Sequence, residues 1–356
     1  MPVSTDPGIT QDELRLAARN HGMPLEAMRF DLTPVGLHYL LIHYDIPEVD
    51  PGAWCLEVDG LVERPLSLSL DDLRARPAVD EVVTLECAGN GRALVDPHVI
   101  SQPWLLEAVG NARWSGTPLA SLLEEAGVGE GAAEVLFTAL DHGVEGGEQQ
   151  AYARSLPLDE ALRGDVLLAY DVNGTPLPPQ HGFPLRLVVP GWYGMSSVKW
   201  LERITVLAEP FGGYQMQQSY RLRHEEGDEG EPLSRIQVRA LMVAPGIPEF
   251  LSRARIVPAG ECVLRGRAWS GEGAVTSVEV STDGGESWGE AELNEDALGP
   301  WAWRGWSYTW YAEPGEHELC CRAHDEAGNL QPLEPPWNLG GYANNAVQRI
   351  AVIVTA

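Results

Sequence analysis

At 356 residues the chain exceeds the roughly 250 to 300 residues that one hydrophobic core organises, so two domains are expected. Its 44% hydrophobic content and 12 tryptophans describe a folded globular protein and exclude a disordered one. A formal net charge of -28 excludes nucleic acid and an anionic membrane surface as partners, and favours a basic one.

Residues 1–30 read as a polar N-terminal arm with one short helical pattern, Gln11 to Asn20. From Trp54 the text changes to short mixed elements: a strand at Trp54–Val58, a helix opening at Leu70–Leu73, and a strand at Glu81–Leu85. A helix at Leu119–Ala126 closes on Gly127, followed by a strand at Glu134–Leu140, a short helix at Leu158–Leu162 and a strand at Val166–Tyr170. Arg186–Val189 and Arg203–Leu207 complete this part. Strands and short helices lack regular βαβ spacing, which predicts an α+β sheet domain over residues 31–220 rather than a doubly wound one. The charged, glycine-rich run Arg221–Pro232 has little to bury and reads as a surface connection. Beyond Ser234 the pattern is all strand and turn: Cys262–Trp269, Val275–Val280, the turn Asp283-Gly284-Gly285, Trp301–Tyr311 and His317–Ala323. That spacing predicts an immunoglobulin-like β-sandwich over residues 221–356, without the Cys-Trp-Cys framework of antibodies.

Five cysteines, Cys55, Cys87, Cys262, Cys320 and Cys321, form no CxxC and no CxxCH, so neither a zinc knuckle nor a haem attachment site is expected, and the thiols are expected to be reduced. The first residues contain no basic, apolar-cored leader, and no apolar run approaches the roughly 18 residues that span a bilayer. As written, the chain is expected to be cytoplasmic, or periplasmic if an export leader was removed.

Chemistry concentrates in three stretches. In Thr84-Leu-Glu-Cys-Ala-Gly-Asn-Gly-Arg92 an apolar strand delivers one cysteine into a permissive turn, which can hold a sulfur still while the backbone bends away. The other two are Asp171–Arg186, containing Pro178-Pro-Gln-His-Gly-Phe-Pro184, and Val188-Val-Pro-Gly-Trp-Tyr-Gly-Met-Ser-Ser-Val-Lys-Trp200. The last holds Lys199, the single lysine of a chain that otherwise uses arginine, beside the hydroxyls and amides that a phosphate requires. Taken in order, these stretches closely resemble the molybdenum-cofactor domain of the sulfite oxidase family. Arg267-Ala-Trp-Ser-Gly271, Ser281–Trp288 and Trp337-Asn-Leu339 resemble that family's C-terminal dimerisation domain.

The resemblance implies a mononuclear molybdenum-molybdopterin oxidoreductase, one cofactor per chain, catalysing two-electron oxo transfer. It makes Cys87 the thiolate ligand of the metal, a soft ligand held at a fixed angle. It places His43, Asp141, His142, His181, Arg186, Ser196, Ser197 and Lys199 around the pterin and its phosphate, and Arg92, Tyr152 and Trp104 on the substrate side. It further implies a homodimer, a small-molecule oxo donor or acceptor as substrate and, with no haem motif in this chain, a separate electron-transfer protein, for which a cytochrome is a candidate. The sequence also departs from the family: Leu41, Gly340 and Ser196 stand where sulfite oxidases carry arginines, leaving Arg92 nearly alone. Sulfite turnover is therefore expected to be weak. Two alternatives stay open at this point, a reductase of an S-oxide, N-oxide or nitrate-like substrate, hinted at by Asn344-Asn345, and a catalytically retired cofactor-binding protein.

Overall fold

The structure, a computed structural model, describes residues 3–4, 8–295 and 297–356, with the backbone alone for residues 3–4. The elements of the first domain are, in order, α1 (Gln11–Ala17), β1 (Cys55–Gly60), β2 (Leu66–Ser69), α2 (Leu70–Arg74), β3 (Val79–Glu86), β4 (Val109–Pro118), α3 (Leu119–Ala126), β5 (Glu134–Glu145), β6 (Glu148–Pro157), α4 (Leu158–Ala161), β7 (Leu167–Val172), β8 (Arg186–Val188) and β9 (Leu201–Leu207). Local chemistry explains several of the boundaries. Ser69 caps α2 reciprocally with Asp72, and α3 starts after Pro118 and stops at Gly127, whose φ of 71° suits glycine. Between those ends α3 buries Leu119, Leu122, Leu123 and Ala126, the spacing of a single helical face.

Two five-stranded sheets result. One has the order β2-β1-β9-β5-β6, antiparallel except for the parallel pair β1/β9. In the other, β3 pairs with β4 and β4 with β7, and β7 carries β8 and the short Thr175–Pro176. The predicted strand at Glu134–Leu140 runs on to Glu145, turns through Gly146 and Gly147, both at positive φ, and returns as β6. That glycine pair is the hairpin signal, and it sets Tyr152 and Arg154 on the same face of β6.

The second domain is a sandwich of β10 (Arg239–Val243), β11 (Arg255–Pro258), β12 (Gly260–Trp269), β13 (Val275–Ser281), β14 (Arg304–Ala312), β15 (Gly315–Asp325) and β16 (Gln348–Thr355). The sheet β10-β12-β14 faces the sheet β11-β16-β15-β13 across a core that includes Trp306, Val278, Leu319 and Val352. The architecture is thus α+β followed by an immunoglobulin-like sandwich. All five cysteines are free thiols. The acidic connection is not featureless: Arg221–Leu222 pairs with Glu231–Pro232 around an exposed tip. Nor does the described part of the arm stand clear of the body. Glu13 of α1 is fully buried against His98, and Met23, Ala27 and Met28 enter an apolar cluster with Trp269 and Trp303. Part of the predicted arm, residues 1–2 and 5–7, lies outside the described residues.

The two domains are joined at Glu86, the last residue of β3. Its side chain is 1% exposed and receives the indole N–H of Trp269 at 2.7 Å and the amide of Asn90 at 2.9 Å, while Arg239 Nε lies 2.9 Å from Oε1. Arg239, equally buried, also donates to the carbonyl of Asn344. Removing one member of a buried ion pair leaves the other uncompensated, at a cost of about 3–5 kcal/mol. Arg239→Ala is therefore expected to lower unfolding stability by that order, measured by urea titration, with the two domains no longer unfolding as one unit.

Candidate active site

Cys87 follows Glu86 directly, at the bend where β3 ends. The turn is cyclised by the N–H of Asn90 donating to the Cys87 carbonyl at 2.9 Å. The second domain clamps it from outside: Ala343 N donates to Ala88 O at 2.8 Å, and the Asn344 amide donates to Gly91 O at 2.7 Å. Gly91 has φ 88°, and a Cβ there would lie 2.9 Å from the Asn344 amide; a Cβ on Gly89 would lie 2.6 Å from the Arg92 guanidinium. Both glycines are thus required for close approach, one by the neighbouring domain and one by a cation.

The Cys87 sulfur stands between two cavities. The first encloses about 670 Å³ including its mouth and is lined by Cys87, His38, Tyr39, His43, Asp141, Tyr152, His181, Arg186, Ser197, Lys199 and Tyr220, among others. Six of the eight predicted cofactor residues therefore meet in one place. Ser196 is buried between two lining residues and its hydroxyl has no hydrogen-bond partner. His142 is not brought in: it is exposed, with Nδ1 on the carbonyl of Leu140. The reason is strand alternation, because Asp141 and His142 are adjacent on β5 and face opposite ways.

Electrostatics in this cavity are set by burial. Desolvation pushes His38 and His43 down to about 4 and His181 to about 2, so all three imidazoles are neutral near pH 7. The Lys199 ammonium is lowered chiefly by burial and then by Arg186; its Nζ donates to the carbonyls of Leu41 at 2.7 Å and Gln180 at 3.3 Å. Asp141 is raised by burial. Arg186 sits 4.6 Å over the Trp114 ring and donates to the carbonyls of His181 and Ser197. Ser197 accepts the N–H of Val189, so its hydroxyl oxygen is engaged with the backbone.

The second cavity opens on the other side of the sulfur and includes Arg92, Trp104, Ser101, Gln102, Glu145, Tyr220 and Tyr342; Cys87, Leu41, His43 and Tyr220 are common to both. Arg92 is 4% exposed. Its Nε donates to Gly340 O at 2.8 Å, Nη1 makes only long bonds to Ser101 Oγ and Gln102 O, and among the described residues no carboxylate pairs with it. Burial raises the Cys87 thiol, while the Arg92 charge, the Gly89 N–H and the Trp104 indole pull it back. The predicted Tyr152 lines the first cavity, but its hydroxyl donates to the Met195 carbonyl at 2.8 Å and is committed there. Two tyrosines not singled out in the sequence line the second cavity with the sulfur: Tyr220, whose hydroxyl lies 3.4 Å from His43 Nε2, and Tyr342, whose ring is 5.3 Å from that of Tyr220. Tyr220 stands immediately before the run Arg221–Pro232 read as a surface connection, and no local pattern marks it.

The arginine-poor corner also acquires a cation from elsewhere. Arg154 is 3% exposed, stacks 5.2 Å over Tyr220, donates to the carbonyl of Gln215, and keeps Nε without a partner. Arg304, by contrast, bonds the carbonyls of Asn294 and Val275 inside the sandwich. A side chain at Gly340 would collide with the Tyr342 ring, its Cβ lying 2.3 Å from it, so Tyr342 occupies the space an arginine there would need. Asn344 and Asn345 spend their amides on the carbonyls of Gly91 and Val238, which ties both to the backbone.

Comparison with known proteins defines the class. Residues 43–215 match the oxidoreductase molybdopterin binding domain, and residues 231–355 match the Mo-co oxidoreductase dimerisation domain. Chicken sulfite oxidase is 39% identical over 91% of this chain and 73% of its own length. The mitochondrial sulfite oxidase of rat is 38% identical over 91% of this chain, which spans 62% of that relative's length. A barley nitrate reductase is 34% identical over 91% of this chain and 39% of its own. The crystal structure of the sulfane dehydrogenase SoxCD from Paracoccus pantotrophus superposes with a TM-score of 0.79 at 28% identity, covering 94% of this chain and 86% of that one. The chain belongs to the sulfite oxidase family. Among the described residues no helix is long and apolar enough to cross a membrane.

The depressed histidines carry a pH signature. An unfolded histidine titrates near 6.5, so below that pH the unfolded chain takes up protons that the folded one refuses, and stability falls by about 1.4 kcal/mol per pH unit for each such group. Asp141, raised in the fold, opposes this in the acid range, one group against three within this cavity, and the raised carboxyls of Glu81, Glu107 and Glu202 elsewhere oppose it as well. Cofactor-free protein is expected to lose stability steadily from pH 6.5 towards 5, and His181→Gln to flatten that loss, as read from urea midpoints across pH.

Proposed function

We propose that the protein is a molybdopterin-dependent oxidoreductase performing two-electron oxo transfer with a small oxo donor or acceptor bound beside Cys87, whose sulfur would hold the metal. The observation that carries this reading is the position of that sulfur: one buried thiol lines both a cavity of neutral imidazoles and cations and a cavity of arginine and aromatic side chains. The chemistry of the donors fits a pterin bearing a phosphate. His38 Nε2 and Ser196 Oγ are buried without partners, and Lys199 and Arg186 have no carboxylate bonded to them among the described residues. No three His, Cys, Asp or Glu side chains converge as a metal site among the described residues, which fits a metal that Cys87 would hold together with ligands of the cofactor.

When bound, the molybdopterin supplies the redox and oxo-transfer chemistry. The residues supply the rest. Cys87 offers a thiolate, favoured by Arg92 and Trp104 against the desolvation that opposes it. Lys199, Arg186, His181, His43, Asp141, Ser196 and Ser197 surround the pterin side. On the substrate side Arg92, whose Nη2 makes no hydrogen bond among the described residues, presents a guanidinium edge to an oxyanion, and Tyr220 offers a hydroxyl next to neutral His43. Arg154 adds a second positive field from behind Tyr220; both arginines act on His43. Trp104, Leu41 and Tyr342 wall the corner and exclude water.

With Leu41, Gly340 and Ser196 in positions where the resemblance puts arginine in sulfite-oxidising members of the family, a dianion such as sulfite loses charge-assisted contacts worth about 1.5–3 kcal/mol each. This favours weak sulfite turnover, and it favours equally a less charged S-oxide or N-oxide reduced at the same site. Electrons would pass to or from a separate protein, and the net charge of -28 suits a basic one, such as a cytochrome.

Cys87→Ser in protein loaded with its cofactor is expected to abolish turnover and the sulfur-to-metal absorption bands; full activity would overturn the reading. Arg92→Gln is expected to raise KM for an oxyanion substrate about ten- to a hundredfold with a smaller change in kcat, in steady-state assays with an artificial electron carrier.

A further inference from the structure

The second cavity changes character from its inner end to its mouth. Inside, Cys87, Arg92 and Trp104 are all buried. At the opening stand Leu16 of α1, 40% exposed, and Val144 of β5, 72% exposed, while Leu41 and Tyr342 line the same space. Together the walls enclose about 880 Å³ including the mouth, a size that accommodates an organic ligand and is large for an inorganic oxyanion. Single apolar residues on a surface need no explanation, but these two come from elements distant in the sequence and meet at the opening of one cavity that already holds a cation.

Both sides of this opening are braced. The α1 side is pinned by Glu13, whose buried carboxylate accepts the Thr10 N–H at 2.8 Å and lies 2.8 Å from His98 Nε2. Asn20, also buried, fixes the turn that follows: its amide donates to Leu16 O at 3.0 Å and to Gln102 Oε1 at 2.9 Å, and its side-chain oxygen accepts the Ile42 N–H at 2.7 Å. The Gln102 carbonyl in turn accepts Arg92 Nη1, so a path of hydrogen bonds connects the opening to the cation inside. On the hairpin side Tyr44 packs over Gly143, where a Cβ would lie 2.5 Å from its ring, and its hydroxyl donates to Glu145 at 3.0 Å, which also accepts Gln215 Nε2 at 2.8 Å. An apolar surface held in place binds without first being ordered.

Charge narrows the occupant further. Among the described residues Arg92 is the one cationic side chain lining this cavity, His43 being neutral, and Glu145 next to Val144 adds a carboxylate near the opening. A dianion passing Glu145 towards a single arginine is opposed, whereas a molecule of lower charge that carries a hydrocarbon group gains from the same walls. We propose that the substrate is organic: its oxo-bearing head stands at Arg92 beside Cys87, and a short apolar substituent of a few carbons rests against Leu16 and Val144, which together form a subsite that selects for that substituent. The assignment of head and tail rests on the oxo-transfer reading given above. Helix α1 is then part of the substrate site, because it places Leu16 at the opening.

Calorimetric titration of the cofactor-loaded full chain with methanesulfonate, propanesulfonate and pentanesulfonate reads this subsite without turnover. Affinity is expected to rise about two- to fourfold per added methylene. The double variant Leu16→Ser/Val144→Ser is expected to bind methanesulfonate as the parent does and to lose the dependence on chain length, and Arg92→Gln to weaken all three probes by a similar factor. No binding, equal affinities along the series, or a chain-length dependence that survives in the double variant overturns the proposal. Molybdenum content and the turnover of Cys87→Ser are measured separately, so a failure of the oxo-transfer reading shows there and not in the chain-length series.

Discussion

The carboxylate of Glu86 is the pivot of this molecule. It ends the strand that delivers Cys87, and its partners come from both domains: Asn90 from the turn itself, Trp269 and Arg239 from the sandwich. A charge at 1% exposure tolerates only an arrangement in which its lone pairs are occupied, so the position of the sandwich and the position of the sulfur are solved together. Arg239 extends the constraint to Asn344, and Asn344 to Gly91, closing a path of buried polar contacts around the turn. The second domain is in this sense part of the site and not an attachment to it.

The electrostatic design follows from the same enclosure. A protein with an excess of 28 negative charges nevertheless surrounds its one buried, turn-held cysteine with arginine, lysine and neutral histidine, and pairs none of Arg92, Arg154, Arg186 and Lys199 with a carboxylate among the described residues. Positive charge kept free of internal partners in a dry place is positive charge available to a ligand. The tyrosine pair Tyr220 and Tyr342, flanked by Arg154 and Arg92 through their ring faces, shows how this chain stabilises those cations without neutralising them.

The sequence was most legible where local chemistry decides. The helix over Leu119–Ala126 has the predicted bounds because its stop residue is a glycine in the left-handed region, and the glycine-rich turn after Cys87 reads directly as a device for close approach. Legibility failed where distant contacts decide. Tyr220 is the last residue before a run whose composition suggests a linker, and packing against His43 and Arg154 places it in the cavities that Cys87 lines. His142 looked equivalent to Asp141 until strand alternation separated them, and Asn344 carried no sign that it would support a turn 253 positions earlier.

That separation has a consequence for how the protein is made. As the chain leaves the ribosome, the turn bearing Cys87 emerges well before the residues that hold it in shape, Asn344 following Gly91 by 253 positions and Ala343 standing beside it. Until those residues arrive the thiol sits on an unbraced loop, and the pocket beside it becomes rigid only once the second domain has folded against the turn.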